Sequence, residues 1–133
     1  MAKANIVGDA SYNEDLQLGG FSGGFQLVSD KGDWNDMYHG VCPDVGNSNE
    51  AEMLAIAGGA RKLAEKLKEH NDHIDSLDIY TDSYTAINQY GLYKDNEQHD
   101  PKYDSAVKMM DKYLAPIVNI EKIAFHHVNA HVS

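Results

Sequence analysis

The hydrophobic period of this chain first changes near residue 49, and that change constrains the fold more than any other feature. Before it, "KANIVGDAS", "GGFSGGFQLVSD" and "DWNDMYHGVC" read as three strands, the last two separated by the turn signal "SDKGD". From Asn49 onward Met53, Ile56, Ala60, Leu63 and Leu67 recur at spacings of three and four, and "RKLAEKLKEH" carries charge on the other face. Three strands in succession form a meander, and a long amphipathic helix after them must lie across the sheet that the meander starts. "IDSLDIYTDS" then reads as a short buried strand, "SYTAINQYGLY" as a short helix ended near Gly91, and "YKDNEQHDP" as a polar loop. Pro101 opens a further helix through "KYDSAVKMMDKYLA", Pro116 ends it, and "IEKIAFHHVNAHVS" is a final strand. The order β-β-β-α-β-α-α-β predicts an α/β fold. Its sheet is mixed and five-stranded, flanked by helices, with strand one central and the later strands parallel to it by right-handed crossovers.

At 133 residues this order fits one domain over residues 1–133, large enough to bury a core without staples. A lone cysteine, Cys42, excludes a disulfide framework and a Cys-rich zinc site. No signal-peptide pattern follows Met1, and no apolar run approaches the roughly 20 residues that cross a bilayer. A cytoplasmic monomer with no membrane partner is therefore expected. The formal charge of -10 excludes a protein that grips nucleic acid through a broad basic surface. With Arg61 as the sole arginine, bidentate phosphate clamps must be few. The charge does not exclude divalent cations, and any nucleic-acid contact would rest on lysines, backbone amides and bound metal.

Three carboxylates fall where the predicted layout would bring them together. Asp9 ends strand one, Glu52 sits in the first turn of the long helix, and Asp82 ends strand four. Parallel neighbours put Asp9 and Asp82 at one carboxyl edge, and a helix across the sheet would carry Glu52 to them. Like charges so close repel unless a cation sits among them, and oxygen ligands select Mg²⁺ or Mn²⁺ over zinc. Each residue also has a structural reading: Asp9 as a turn residue, Glu52 as the partner of Asn49 in a variant capping box, and Asp82 as a helix N-cap. Three independent caps need not converge on one sheet edge, so the set favours function.

"IVGDAS", "NSNEAEMLAI" and "LDIYTDSYTAI" resemble, in order, three core motifs of the ribonuclease H family, type 1-like, and "HVNAHVS" resembles the fourth. The resemblance spans the whole chain. It implies a metal-dependent endonuclease that hydrolyses the RNA strand of RNA/DNA hybrids with two Mg²⁺ or Mn²⁺ ions, held about 3.5–4 Å apart. Carried over position by position, it makes Asp9, Glu52 and Asp82 catalytic metal ligands and His131 the loop histidine near the scissile phosphate. Asn49 falls at a position that contacts the nucleic-acid strand, and Ser11 and Asn13 where the hybrid is read through backbone and small polar groups. Such contacts suit ribose 2′-hydroxyls in a wide, shallow minor groove.

The sequence departs from the family pattern at four points. Ala10 stands where glycine is usual, Tyr84 replaces a common polar contact residue, and "QYGLYKDNEQHDPKYD" carries no basic handle. The family's fourth carboxylate, beyond the loop histidine, has no counterpart before Ser133. That last departure leads us to expect weaker Mg²⁺ support and better activity in Mn²⁺.

The remaining chemistry-bearing residues read as structure. His126 and His127 are adjacent in a strand and must point to opposite faces. The four-residue spacing of His127 and His131 would suit zinc only on a helix with a third ligand, and neither is present in the pattern. Tyr12, Trp34, Tyr38 and Phe125 are expected to pack in or across strands, Met109 and Met110 to fill helix core, and Cys42 to be a buried thiol. Two other functions compete with the hybrid nuclease. One is a related nuclease acting on DNA; the other is a catalytically weak or inactive binding module with this fold.

Overall fold

The computed structural model describes residues 2–129. Three strands open the chain, β1 (Lys3–Asn13), β2 (Leu18–Ser29) and β3 (Gly32–Pro43), followed by the helix α1 (Ser48–Glu69). Then come β4 (Ser76–Thr81), α2 (Tyr84–Lys94), α3 (Asp104–Leu114) and β5 (Ile123–His127), with single 3-10 turns at Pro101–Tyr103 and Ile120–Lys122. The five strands form one sheet in the order β3-β2-β1-β4-β5. β1 is antiparallel to β2 and parallel to β4, and β4 is parallel to β5. The predicted mixed sheet with strand one at its centre is the one observed.

Alternation along the strands divides the sheet into two unlike faces. Ala4 and Ile6 of β1, Phe25 and Leu27 of β2, and Leu77 and Ile79 of β4 are buried, and they meet Met53, Ile56, Ala60, Leu63 and Leu67 of α1 in one core. Burying each of the larger aliphatic side chains contributes about 1.5–3 kcal/mol. Ala106, Val107, Met110 and Leu114 of α3 complete that core. On the other face Val7, Val28, Met37 and Val41 stand exposed.

One close approach fixes the height of α1 over the sheet. A Cβ on Gly59 would come within 2.7 Å of both Ile6 Cγ2 and the Tyr38 hydroxyl, so glycine here, despite its cost of about 1 kcal/mol in a helix interior, lets α1 come down onto β1 and β3. The buried Tyr38 hydroxyl donates to the Ala55 carbonyl at 2.9 Å, and thereby holds the turn of α1 that follows Glu52.

Four expectations are corrected. β1 continues past Asp9 to Asn13, because Asp9 pairs with Ser22 and Asn13 with Leu18 in the β2 ladder. α2 runs through Gly91 to Lys94, whose ammonium pairs with Asp111 of α3 at 2.9 Å, and Asp95 caps it by donating its N–H to the Gly91 carbonyl at 3.0 Å. Met109 is exposed: Val107, Met110 and Leu114 define the buried line of α3, and Met109 lies one helical step off it. Cys42 is only half-buried, and burial together with the charge of Glu50 pushes its thiol pKa up.

Candidate metal centre

The parallel pairing of β1 with β4 ends at Val7 opposite Tyr80. Beyond that point β1 stays with β2 while β4 turns into α2, and the two strands part at their carboxyl ends. Asp9 lies just past the split on one side and Asp82 on the other. Glu52 enters from α1.

Glu52 is free for this role because it caps nothing. The N-cap of α1 is Asn47, whose Oδ1 accepts the Glu50 N–H at 2.9 Å, and the Glu50 carboxylate reaches back to accept the Gly46 N–H at 3.0 Å. The capping pair is thus Asn47 with Glu50, two residues upstream of the expected Asn49 with Glu52. Glu52 falls in the second turn instead of the first, on the face turned to the core, and only 3% of its surface is exposed. Asp82 is not a cap either. Ser83 caps α2, its hydroxyl accepting the Ala86 N–H at 3.0 Å.

One carboxylate oxygen each from Asp9, Glu52 and Asp82 lie within 4.8 Å of one another. Asp9 is exposed, Asp82 half-exposed and Glu52 buried. Burial, then the charge of Asp82, and to a lesser extent that of Asp9, push the Glu52 pKa up to about 8, against the opposing hydrogen bond from Thr81. Without a cation, Glu52 therefore keeps its proton at neutral pH. A divalent ion would displace that proton and neutralise the repulsion, and an all-oxygen donor set is the chemistry of Mg²⁺ and Mn²⁺. The residues present fit such an ion.

A polar relay surrounds the three carboxylates. Thr81 Oγ1 donates to Glu52 Oε1 at 3.0 Å and accepts the Ser83 N–H at 3.2 Å. Ser83 Oγ donates to Asn49 Oδ1 at 2.9 Å, which ties the start of α1 to the start of α2. His127 Nε2 donates to the Asp82 carbonyl at 3.1 Å, and its ring stacks on Tyr84 at 3.6 Å. Thr81, Ser83 and His127 were not singled out as site residues from sequence. The "YTDS" run was the available signal for the first two; the third depends on the β4–β5 register, in which Thr81 lies opposite His127.

The other expected site residues are placed differently. Ser11 is exposed and lines a hollow of about 330 Å³ with Asp9, Ala10, Gly20, Phe21, Ser22 and Gly40. Asn13 Oδ1 accepts the Leu16 N–H at 3.0 Å, so it closes the β1–β2 turn. His131 lies outside the described residues. His126 and His127 do face opposite ways: His126 bonds Asp78 at 2.7 Å and stacks on Tyr80, on the sheet face away from the helices.

The backbone resembles solved structures over nearly its whole length. The N-terminal RNase H domain of Rv2228c from Mycobacterium tuberculosis, solved as a fusion with maltose-binding protein, superposes with a TM-score of 0.63 at 12% identity, covering 95% of this chain and 86% of that one. LC11-RNase H1, solved in complex with an RNA/DNA hybrid, gives 0.65 at 11% identity, covering 96% and 86%. The chain has the ribonuclease H fold. No family model and no curated protein sequence matches it. Among the described residues, no helix of this ribonuclease H fold is long and apolar enough to cross a membrane.

Proposed function

We propose that this chain is a metal-dependent endonuclease that hydrolyses the RNA strand of RNA/DNA hybrids. The observation that carries the proposal is the convergence of Asp9, Glu52 and Asp82 from three separate elements at the parting of β1 and β4. A buried glutamate beside an aspartate costs stability unless a ligand uses it. The ribonuclease H fold, found also in a protein solved with an RNA/DNA hybrid, supports the substrate class.

Asp9, Glu52 and Asp82 would hold two Mg²⁺ or Mn²⁺ ions. When bound, these supply the positive charge that activates water and stabilises the leaving 3′ oxygen of the RNA. The chain's own residues do the rest. Thr81 orients the Glu52 carboxylate through its hydroxyl. Asn49, fixed by Ser83, stands beside the site where the nucleic-acid strand would pass, and exposed Ser11 lies two residues from Asp9, in reach of a ribose. His131 is assigned by sequence resemblance to proton transfer and product release near the scissile phosphate.

The test is a side-by-side assay of labelled RNA/DNA hybrid, duplex DNA and duplex RNA with Mg²⁺ or Mn²⁺. We expect the RNA strand of the hybrid alone to be cut, leaving 5′-phosphate and 3′-hydroxyl ends. Cleavage of duplex DNA in preference would move the activity to DNA. Binding without cleavage of any substrate would leave a nucleic-acid-binding module.

A further inference from the structure

We infer that Tyr84 and His127 form a stacking shelf beside the metal centre that takes an unpaired nucleobase of the substrate. The inference rests on the nuclease reading above and narrows its substrate. The two rings lie parallel, 3.6 Å between centroids and 8° between planes. His127 is itself fixed, because its Nε2 donates to the Asp82 carbonyl at 3.1 Å, and the Val128 N–H donates to the Thr81 carbonyl at 2.9 Å just beyond it. The shelf is therefore tied to the backbone that carries a proposed metal ligand.

Tyr84 is 68% exposed. One ring face lies on His127, and among the described residues most of the remaining Tyr84 surface is exposed. An exposed tyrosine on a helix N-terminus would ordinarily move freely; this one is held in place before any ligand arrives, which removes much of the ordering cost of binding. Tyr84 also borders a hollow of about 420 Å³ along α2, whose other walls are Thr85, Ile87, Asn88 and Gln89. An aromatic face, an aliphatic side chain and two side-chain amides are what a nucleobase needs: a surface for its plane and partners for its edge. Gln89 Oε1 is held by the Asp100 N–H at 2.7 Å, so that amide is oriented too.

The charge balance points the same way. A chain of net charge -10 with one arginine gains little from phosphate contacts, whereas stacking costs an acidic protein nothing in repulsion. Inside a duplex both faces of a base are covered by its neighbours. The exposed surface of Tyr84 therefore suits a base whose own face is uncovered, and a base in a single-stranded extension, free to turn onto the ring, suits it better than one held in a terminal pair. The substrate favoured by this geometry is a hybrid joined to single-stranded nucleic acid near the cleavage site.

The experiment compares a blunt RNA/DNA hybrid with one bearing a short single-stranded extension that contains 2-aminopurine, with Ca²⁺ in place of Mg²⁺ to limit cleavage. Binding is read by anisotropy, and stacking by quenching of the 2-aminopurine fluorescence. We expect the extended hybrid to bind about tenfold more tightly than the blunt one, with quenching. Tyr84→Leu should abolish the quenching and the preference, while Tyr84→Phe should keep both. Tyr84 fills no core space, so thermal melting should show all three proteins folded. Equal affinity for the two hybrids, or an undiminished preference in Tyr84→Leu, would overturn the shelf and leave the nuclease reading standing. Failure of the wild-type chain to bind or cut either hybrid would overturn both.

Discussion

The Thr81 hydroxyl donates to Glu52 Oε1 at 3.0 Å in a fully buried setting, and it is the one hydrogen bond that lowers the pKa of a carboxyl otherwise pushed upward. It also accepts the Ser83 N–H, so one side chain joins α1 to the turn that carries Asp82. Replacing Thr81 by valine keeps the shape and removes both bonds. We expect Thr81→Val to lower Mn²⁺ affinity about fivefold, the equivalent of about 1 kcal/mol for one such hydrogen bond, with Thr81→Ser close to wild type. Isothermal titration of Mn²⁺ into the three proteins checks this; equal affinities would remove Thr81 from the site.

The raised pKa of Glu52 makes metal-free stability depend on pH in a defined direction. A carboxyl that titrates near 4.5 when unfolded and near 8 when folded binds its proton more tightly in the folded state. Its contribution is fully present below about pH 4.5 and is lost as the pH rises toward 8, at up to ~1.4 kcal/mol per pH unit. In EDTA the chain should therefore melt at progressively lower temperature across that window, and Glu52→Gln should flatten the slope. A wild-type melting temperature that holds steady or rises from pH 5 to pH 8, with the same slope in Glu52→Gln, would contradict the buried, protonated state.

Asp9 and Asp82 offer the complementary case. Asp9→Asn and Asp82→Asn each remove a charge that raises the Glu52 pKa, so both variants should be at least as stable as wild type without metal, Asp82→Asn the more so. Both should lose hybrid cleavage by about a thousandfold or more, a loss on the scale of removing one strong electrostatic group from a site of this kind. Near-normal rates in either variant would sink the metal assignment, and unfolding of both would favour a structural role.

These residues also indicate what a sequence of this kind discloses. The order of strands and helices was enough for a mixed sheet with strand one central, and the three-four spacing from Met53 to Leu67 was enough for the side of α1 that faces it, because burial selects one face of the helix. The convergence of Asp9, Glu52 and Asp82 followed from that layout. The helix start was displaced by two residues because Asn47 and Asn49 are both good caps, and which one serves is decided by Glu50 reaching back to the Gly46 N–H. The Tyr84–His127 stack was out of reach, since the two residues meet only through the register that sets Thr81 opposite His127.

Binding strength should reflect the charge balance. Contact with few phosphates predicts a shallow salt dependence, a slope of log K against log salt no steeper than about -3, which corresponds to roughly three neutralised phosphates. Adding divalent metal should change affinity more than halving the ionic strength does. Tight hybrid binding in EDTA with a slope steeper than about -5 would show a basic surface that the sequence does not suggest.

The most direct measurement is calorimetric titration of Mn²⁺ into the substrate-free chain at pH 7, repeated in buffers of different ionisation enthalpy to count protons. With the Glu52 pKa near 8, close to one proton per chain should be released as the first ion binds, and Glu52→Gln should bind more weakly and release none. Saturable binding with no proton release, or identical binding by wild type and Glu52→Gln, would contradict a metal centre built on Asp9, Glu52 and Asp82.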